Sequence, residues 1–523
     1  MSKQENKLNT NNAENITYEY TVLDINVLGG IRLDQLDRMR VTLKIAVKET
    51  AIPPVRHNLD LYNTTQVEKL IRLVAEKLEV GTSVIAGALT ELTNLLEEYR
   101  LEERERREKV EDKRKLLTPD EINQAQMYLK APNLMERTKE DIGKAGMIGE
   151  ESNRLLMYLI FTSRKRDNPL HIISLGSSGI GKTHLQEKVG ALIPEEDKLE
   201  ITNLSENAFY YFGQQELRNK LIMIEDLDGA ENVLYPLREI KSKKRITKTV
   251  VIKNTKGETR TVSLVVEGPV SVAGCTTKES LYEDNANRSF LIHIDESQEQ
   301  DEKIMEYQRK LSAGKIDTTE ERQIQEQLKN TQRVLQPVQI RNPYAEQLKI
   351  PNEVFKPRRT NAHYLAFIEA VTFYHQYQRE RKIDRNPDGS GQAGEEYIET
   401  TLEDIAAANQ LMKEVLLRKS DPLTGACRNY FEWLKTWMKK EKKTSFTNKE
   451  VRQAIRIHPS NQKRYMLQLQ DYDYVDKIKG EKGQVHHYQI TTTEDYERLK
   501  GGIESILDEI LQNLGNKKRK TGS

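Results

Sequence analysis

The fold is decided by residues 170–183, which read LHIISLGSSGIGKT. Residues 170–175 are apolar apart from one His and one Ser, which predicts a buried strand. The run then breaks into the phosphate-binding pattern GxxxxGK(S/T). This loop consists of Gly176, Ser177, Ser178, Gly179, Ile180, Gly181, Lys182 and Thr183. The residues after Thr183 have the composition of a helix, so the pattern stands between a strand and a helix, as its chemistry requires.

The residue types of this loop fit the binding of a nucleoside triphosphate. Glycines allow the backbone to curl so that successive N–H groups point at phosphate oxygens, and the helix adds its positive N-terminal end. Lys182 is predicted to reach the β- and γ-phosphates, and the Thr183 hydroxyl is predicted to bind Mg²⁺. The alternative is a glycine turn that binds nothing. We therefore expect ATP and Mg²⁺ as cofactors.

Length and composition limit the class of protein. A chain of 523 residues is too long for one core, so about two to four domains are expected. Apolar content of 37% and charged content of 31% favour a helix-rich protein with long solvated faces. Residues 1–14 lack the apolar segment of a signal peptide, and no run has the length of a membrane span. The two cysteines are too few for a disulfide framework or a zinc ribbon, which indicates a cytoplasmic protein.

The first hundred residues show two kinds of periodicity. Residues 1–15 are polar and are expected to be disordered. Residues 16–27 and 41–47 alternate apolar and polar side chains, which predicts two strands of a small β element. Apolar residues recur with a helical period over 64–96, and Gly81 divides them into two amphipathic helices. The charged run at 97–115 is interpreted as a solvated helix between domains, with a binding surface as the alternative.

A second apolar strand is predicted at residues 220–224, and it ends in Glu225 and Asp226. Apolar residues followed by two carboxylates are typical of the Walker B strand, whose acids bind Mg²⁺ and orient the attacking water. The usual order is Asp then Glu; here it is reversed, so the division of roles between the two is open. We assign Mg²⁺ to Glu225 and the water to Asp226. An acidic strand end on the surface is the alternative.

Residues 118–164 are expected to form helices that cover the adenine.

A basic segment follows the Walker B strand. Residues 245–266 predict a β-hairpin with Lys253, Lys256 and Arg260 near its tip. These three are candidate DNA contacts, and a solvated basic hairpin is the alternative. The next apolar strand ends in Thr276 and Thr277, either of which is a candidate sensor of the γ-phosphate.

Three further groups of residues are candidates for function. Arg288 precedes another apolar strand and is a candidate to reach a neighbouring subunit's nucleotide, or else to pair with a nearby acid. Arg358 or Arg359, at a helix start, is a candidate second sensor, and Arg359 is our choice. Near the C-terminus the order helix, helix, strand, turn, strand predicts a winged helix-turn-helix with Lys463 and Arg464 on its recognition helix. Such modules also bind proteins, so DNA is one of two interpretations there.

These motifs together resemble the AAA+ ATPases of replicative helicases of the minichromosome-maintenance and superfamily 3 types. That family carries a P-loop, Walker B, a hairpin, a first sensor and an arginine finger in this order. Residues 170–437 are similar to the ATPase portion of primase-helicase proteins of bacterial conjugative elements, plasmids and phages. The similar stretches are KLIMIEDLDGAENVLYPLRE, LYEDNANRSFLIHID and IMEYQRKLSAGKID.

The resemblance implies a homo-oligomeric ring, a hexamer or similar, in a bacterial cytoplasm, with no membrane partner. In such a ring Arg288 of one subunit completes the site that holds Lys182 of the next, and the hairpins grip single-stranded DNA in the channel. Relatives often carry a zinc-finger primase region, for which this chain has too few cysteines. Priming is therefore not carried over, and a primase is expected only as a separate partner.

We thus expect an α/β P-loop AAA+ core, a parallel sheet with flanking helices, between a helical N-terminal region and a C-terminal winged helix-turn-helix. The expected function is an ATP-driven DNA helicase or translocase for replication or mobilisation of a mobile element. Alternatives are an ATP-switched initiator or partner loader that binds DNA without unwinding it, and a regulatory ATPase acting on protein. The expected domains are a disordered tail with a β element (1–57), a helical region (58–117), the ATPase core (118–300), its helical lid (301–438), the winged helix (439–500), and a helix with a basic tail (501–523).

Overall fold

The computed structural model describes residues 8–10, 12, 14–33, 38–108, 115–202, 208–230, 234–253, 259–278, 288–384, 395–455, 457–478, 486–492 and 494–521. For residues 104–108, 251–253, 259–260, 262 and 517–521 it describes the backbone alone. The chain divides into two compact units, residues 1–114 and residues 115–523.

The first unit is an antiparallel sheet covered by two helices. Its strands are β1 (Leu8–Asn9), β2 (Asn15–Tyr20), β3 (Leu23–Leu28), β4 (Arg40–Val47) and β5 (Val55–Asp60), paired in chain order. Its helices are α1 (Thr64–Leu78) and α2 (Thr82–Glu108). Leu23, Ile25 and Val27 of β3 are buried while the residues between them are more exposed, so one face of the sheet meets the helices.

Three expectations for this region are corrected. The segment 16–27 is two strands, because the chain turns at Thr21, whose φ of 43° is left-handed. Within the segment expected to be disordered, Leu8 and Asn9 pair with Tyr18 and Thr17. The sheet and both helices share one hydrophobic core, so the boundary placed between residues 57 and 58 falls inside one mixed α/β unit.

The second unit contains the remaining helices and strands. Its helices are α3 (Pro119–Lys130), α4 (Leu134–Lys144), α5 (Glu151–Thr162), α6 (Lys182–Gly190), α7 (Leu234–Lys243), α8 (Gln298–Ser312), α9 (Thr318–Val334), α10 (Pro357–Tyr374), α11 (Leu402–Ser420), α12 (Gly425–Lys440), α13 (Asn448–Ala454), α14 (Pro459–Asp471) and α15 (Asp495–Thr521). Its strands are β6 (Ile172–Leu175), β7 (Lys198–Ile201), β8 (Lys220–Ile224), β9 (Arg245–Lys253), β10 (Thr259–Glu267), β11 (Val270–Thr276), β12 (Phe290–His293), β13 (Gln339–Arg341), β14 (Lys382–Ile383), β15 (Glu396–Glu399), β16 (Phe446–Thr447), β17 (Val475–Ile478) and β18 (His487–Ile490).

The centre of the second unit is a five-stranded parallel sheet in the order β12-β6-β11-β8-β7. Leu221 and Met223 of β8 enter one hydrophobic cluster, and Ile222 and Ile224 enter another on the opposite face. Both faces are therefore covered, which explains the continuous apolar runs in the sequence. The expected α/β core, a parallel sheet with flanking helices, is confirmed.

Smaller elements attach to this sheet. The hairpin β9–β10 is inserted between α7 and β11. Towards the C-terminus, the sheet β16-β18-β17 packs with α12, α13 and α14 around a separate cluster of apolar residues. The last helix, α15, begins before the expected boundary at residue 501 and is part of the main core, where Leu507 is buried and its carbonyl accepts a hydrogen bond from Asn409. Among the described helices, none combines the length and the apolar character that a membrane crossing needs.

Candidate nucleotide site

The phosphate-binding loop follows the carboxyl end of β6 and leads into α6, as the sequence predicts. Gly176, Gly179 and Gly181 have φ values of 149°, 84° and 96°, a range that residues with a Cβ rarely adopt. In the part of the chain that the structure describes, the N–H groups of Ser178, Gly179 and Gly181 donate to no protein group. The first N–H groups of α6 also lack helical partners. These donors form a concave anion site that fits phosphate oxygens.

Lys182 lies inside this loop. Its Nζ donates to the carbonyl of Gly176 at 2.8 Å and to that of Ser177 at 2.5 Å. Burial lowers the pKa of Lys182, and the thiol of Cys275 and the carboxylates of Glu296 and Asp228 oppose that effect. The ammonium group is thus held at the mouth of the anion site by weak carbonyl acceptors, from which phosphate oxygens can take it over.

The predicted Walker B acids lie at the same edge of the sheet. Glu225 and Asp226 follow β8 and are both exposed. No group of three or more His, Cys, Asp or Glu able to hold a metal occurs among the described residues. The donor set is instead a hydroxyl, Thr183, and carboxylates beside an anion site. Mg²⁺ commonly binds to such a set together with substrate phosphates and water, so the residues fit this ion.

A third carboxylate, Asp228, was not singled out from the sequence. Its Oδ1 accepts a hydrogen bond from the Thr276 hydroxyl at 2.5 Å, and its Oδ2 accepts from the Thr277 hydroxyl and N–H at 2.7 and 3.0 Å. Although burial opposes the effect, these bonds lower the pKa of Asp228. The two predicted sensor threonines therefore hold a Walker B loop residue, an arrangement that we call the Asp228 clamp. A signal existed, because Asp228 is the third acid within four residues.

Gln186 of α6 connects strands β8 and β11. Its side chain is buried, donates to the carbonyl of Ile224 at 3.1 Å, and accepts from the thiol of Cys275 at 3.5 Å. Burial raises the pKa of that thiol to about 12, so it stays protonated as a donor. Helix α6 and strands β8 and β11 are therefore joined by one amide, which sequence patterns do not reveal.

A cavity of about 440 Å³ opens beside the loop, a size within the usual range for small-ligand sites. Its wall includes Ile180 of the loop, His184 of α6, Ile148 before α5, Tyr307 of α8 and Glu321 of α9. Gln300 donates to the carbonyl of Ile148, and Tyr307 donates to Glu321 at 2.7 Å. The cavity continues from the anion site, because Ile180 and Gly181 of the loop line it. Helices α8 and α9, part of the expected helical lid, form one side of it.

Arg288 and Arg359 lie at the opposite edge of the sheet. Both line a cavity of about 270 Å³ together with His171, Lys241 and His363. Arg288 precedes β12, and its Nε donates to Ser242 at 2.8 Å; Glu283 and Asp284, its alternative partners, lie outside the described residues. Strand β12 is parallel to β6, whose far end carries the P-loop, and four residues of strand span about 13 Å. Arg359 was predicted to bind the nucleotide as a second sensor. It lines the same cavity as Arg288, and Lys182 does not line that cavity.

The candidate DNA contacts lie on two other elements. In the hairpin, Lys253 pairs with Thr259 and Arg260 pairs with Ile252, at the ends of the two described strands. The side chains of Lys253 and Arg260, and all of Lys256, lie outside what the structure describes. Lys463 and Arg464 are exposed on α14. The structure therefore leaves all five assignments as predictions.

Comparisons with known proteins agree with the core. The family model described as the MTBMA_p00010 P-loop domain matches residues 119–336, less than half of the chain. No curated protein matches this chain. A solved structure of a full-length MCM homolog from Methanopyrus kandleri aligns with 79% of this chain and 76% of its own, at 12% identity and a TM-score of 0.36. That overlap is too low to define a common fold. The chain contains a P-loop NTPase domain, a fold that binds nucleotides, typically with Mg²⁺.

Proposed function

We propose that the protein is an AAA+ ATPase that assembles into a ring and uses ATP hydrolysis to move along or unwind DNA. The observation that carries this proposal is the division of the charged groups between the two edges of one sheet. The P-loop, the acids and the Asp228 clamp lie at the carboxyl edge, and Arg288 and Arg359 lie at the amino edge. A site that needs all of them requires a second copy of the chain.

The residues divide the chemistry as follows. Bound Mg²⁺ supplies charge that stabilises the phosphates during transfer, and Thr183 and Glu225 would hold it. Lys182 and the loop N–H groups bind the phosphates, and Asp226 orients water. The Asp228 N–H donates to the Asp226 carboxylate at 2.8 Å. The threonines of the Asp228 clamp are therefore connected to Asp226 through Asp228, and they would respond to a change in the position of Asp226.

Arg288 is proposed to act in a neighbouring subunit. A guanidinium that neutralises charge in the transition state is worth about 10³–10⁵ in rate in other NTPases. Arg359 would then act across the same interface, because it lines the same cavity. A closed ring of copies related by rotation, a hexamer in our proposal, supplies every site with these arginines.

DNA binding is proposed for the hairpin and for the C-terminal module. The predicted hairpin contacts Lys253, Lys256 and Arg260 would hold single-stranded DNA in the channel. The order α13, α14, β17, β18 supports a winged helix-turn-helix in which α14, with Lys463 and Arg464, is the recognition helix. From the sequence resemblance we further propose replication or mobilisation of a bacterial mobile element, with a separate primase as a partner.

One observation favours a second function, an initiator or loader that binds DNA without unwinding it. Leu467, Tyr472 and Ile478 of the C-terminal module are 51%, 51% and 38% exposed. Large apolar side chains exposed on one module are compatible with a protein partner.

Hydrolysis and unwinding assays separate the two functions. ATP turnover is measured with and without single-stranded DNA, beside displacement from a forked duplex. A helicase is expected to show DNA-stimulated turnover and displacement, and Lys182→Ala should abolish both. Turnover or binding without displacement would favour the initiator, and the absence of nucleotide binding would refute both.

Mixing tests the shared site. Arg288→Ala is expected to bind ATP and to lose hydrolysis, and adding Lys182→Ala subunits, which retain Arg288, should restore part of it. Normal hydrolysis by Arg288→Ala alone would contradict the assignment. For the hairpin, the double variant Lys253→Ala and Lys256→Ala should keep basal turnover and lose stimulation by DNA. Stimulation equal to that of the wild type would remove the hairpin from the DNA path.

A further inference from the structure

Helix α12 carries an aromatic surface that the proposed nucleotide and DNA sites do not use. Tyr430, Trp433 and Trp437 follow one another at helical spacing along one face. The ring centroids of Trp433 and Trp437 are 5.8 Å apart with 9° between their planes, and those of Tyr430 and Trp433 are 6.5 Å apart with 25°. Tyr430 is buried, whereas both indoles keep part of their area in solvent. We call Trp433 and Trp437 the tryptophan ridge.

The two indoles are offset rather than overlaid. Two rings that overlap fully in contact have centroids about 3.5 Å apart. The centroids of these two nearly parallel rings are farther apart than that. Part of each ring face is therefore uncovered by the other ring. The Nζ of Lys443 lies over the ring of Trp437, 5.6 Å from its centroid, so a cation already contacts one face of this indole.

The charge around the ridge is strongly positive. Residues 433–443 read WLKTWMKKEKK, with five lysines and one acid. Lys435 and Lys443 form ion pairs with Glu432 and Glu450. Three other lysines are exposed and make no ion pair with any described residue; they are Lys439, Lys440 and Lys442. A partner with regularly spaced negative charges complements such a surface.

We infer that the tryptophan ridge and these lysines bind single-stranded nucleic acid, with unpaired bases stacked on the indoles and phosphates beside the lysines. Aromatic faces next to cations are the combination that binds single strands without sequence preference. Core packing explains the burial of Tyr430, whose ring lies 5.5 Å from that of Tyr465 on α14. Trp433 and Trp437 also pack against this core but remain partly exposed, and the exposed lysines follow Trp437 in the sequence.

The inference deepens the proposed function, since it rests on the protein acting on nucleic acid. It adds a place for unpaired bases to the C-terminal module, beside the helix proposed to bind duplex. Because the ridge lies outside the nucleotide site, binding there should need no ATP hydrolysis. The two proposals can therefore fail separately.

Intrinsic fluorescence provides a specific test, because the chain contains only two tryptophans and both are in the ridge. The full-length protein is titrated with a fluorescein-labelled dT oligonucleotide, and binding is followed by anisotropy while tryptophan emission is recorded with an unlabelled one. We expect dT to quench the emission as it binds, and heparin, an anion without bases, to bind without that quenching.

Variants test the two components of the surface. Trp437→Ala should weaken dT binding about 5- to 150-fold, and Trp437→Phe should retain most of the affinity because it keeps a ring. Lys439→Glu with Lys440→Glu should weaken binding and reduce its salt dependence. The matched control is Lys130→Glu with Lys349→Glu, two exposed lysines on other elements, which should bind like the wild type. Circular dichroism verifies that each variant is folded.

Each result decides the matter. Binding of dT without quenching, or equal quenching by heparin, would overturn the inference and leave the proposed function standing. Equal loss in the control pair would show that general charge accounts for binding and would also overturn it. Absence of dT binding by anisotropy would refute both the ridge and the proposed action on DNA.

Discussion

The Asp228 clamp offers the sharpest test of the nucleotide site. Asp228→Asn keeps the shape of the side chain and replaces one carboxylate oxygen with an amide. In the native protein both oxygens are acceptors, one for Thr276 and one for Thr277. The amide oxygen of the variant can still accept from one of these threonines. The hydroxyl of the other threonine must rotate or lose its partner. We expect nucleotide binding to persist and hydrolysis to slow.

The magnitude follows from the hydrogen bonds. A bond to a charged group contributes about 1.5–3 kcal/mol and a neutral one about 0.5–1.5 kcal/mol. The neutral amide weakens the two hydroxyl bonds by about 1 kcal/mol each, and partial exposure of Asp228 reduces the sum to about 1–2 kcal/mol. If this energy positions the threonines in the transition state, kcat falls about 5- to 30-fold.

The assay is steady-state turnover at saturating ATP, beside the Kd of a fluorescent ATP analogue. Asp384→Asn is the matched control, because Asp384 accepts from Arg341 on the surface and is far from the loop in sequence. The control should retain wild-type kcat. A kcat for Asp228→Asn within about two-fold of the wild type would refute the reasoning. A raised Kd with unchanged kcat would show that the clamp shapes binding instead.

Three further predictions concern other parts of the second unit. Burial raises the pKa of Asp404, but His375 and Arg379 lower it to about 2, so Asp404→Asn should cost about 2–3 kcal/mol of unfolding free energy at pH 7. Because a depressed pKa stabilises only above the unfolded value, this difference should shrink from about pH 4 to pH 2 in urea titrations. Tyr307→Ala should raise the Kd for ATP analogues about 3- to 10-fold with little change in kcat, measured by fluorescence titration. Gln186→Leu should cost about 1–3 kcal/mol of unfolding free energy, because it removes the buried hydrogen bonds to the Ile224 carbonyl and the Cys275 thiol, and should lower the thermal midpoint.

The core could be predicted from sequence because its signals are local. The strand, loop and helix around Lys182 are contiguous, and each residue type follows from the backbone shape that phosphate binding demands. Strand β8 and the hairpin could be predicted in the same way, from apolar runs and turn residues within about twenty positions. Such patterns fix where an element lies along the chain.

The remaining features depend on contacts between distant segments. The Asp228 clamp joins residues 48 and 49 positions apart, and the amide of Gln186 contacts Ile224 across 38 positions. Arg359 entered the cavity of Arg288 because α10 packs near the amino end of β12, which no local pattern specifies. The N-terminal strands were undercounted for a related reason, since a turn at Thr21 without Gly or Pro gives no clear signal.

The hairpin and the nucleotide site are joined by more than proximity in sequence. The hairpin leaves the sheet after β8 and α7 and returns directly into β11. Its base is fixed where the Gly268 N–H donates to the carbonyl of Lys244 at 2.7 Å.

At the other end of β11 lies Thr276, whose hydroxyl donates to Asp228. In the proposed mechanism, a shift of the clamp on loss of the γ-phosphate would act on β8 and β11 together, and the hairpin leads directly into β11. A rigid β-ribbon moves as a unit when its base moves, so a displacement at the phosphate edge is carried to the hairpin tip. Weakening the clamp should consequently reduce stimulation by DNA more than basal turnover, a ratio that the Asp228→Asn assay measures directly.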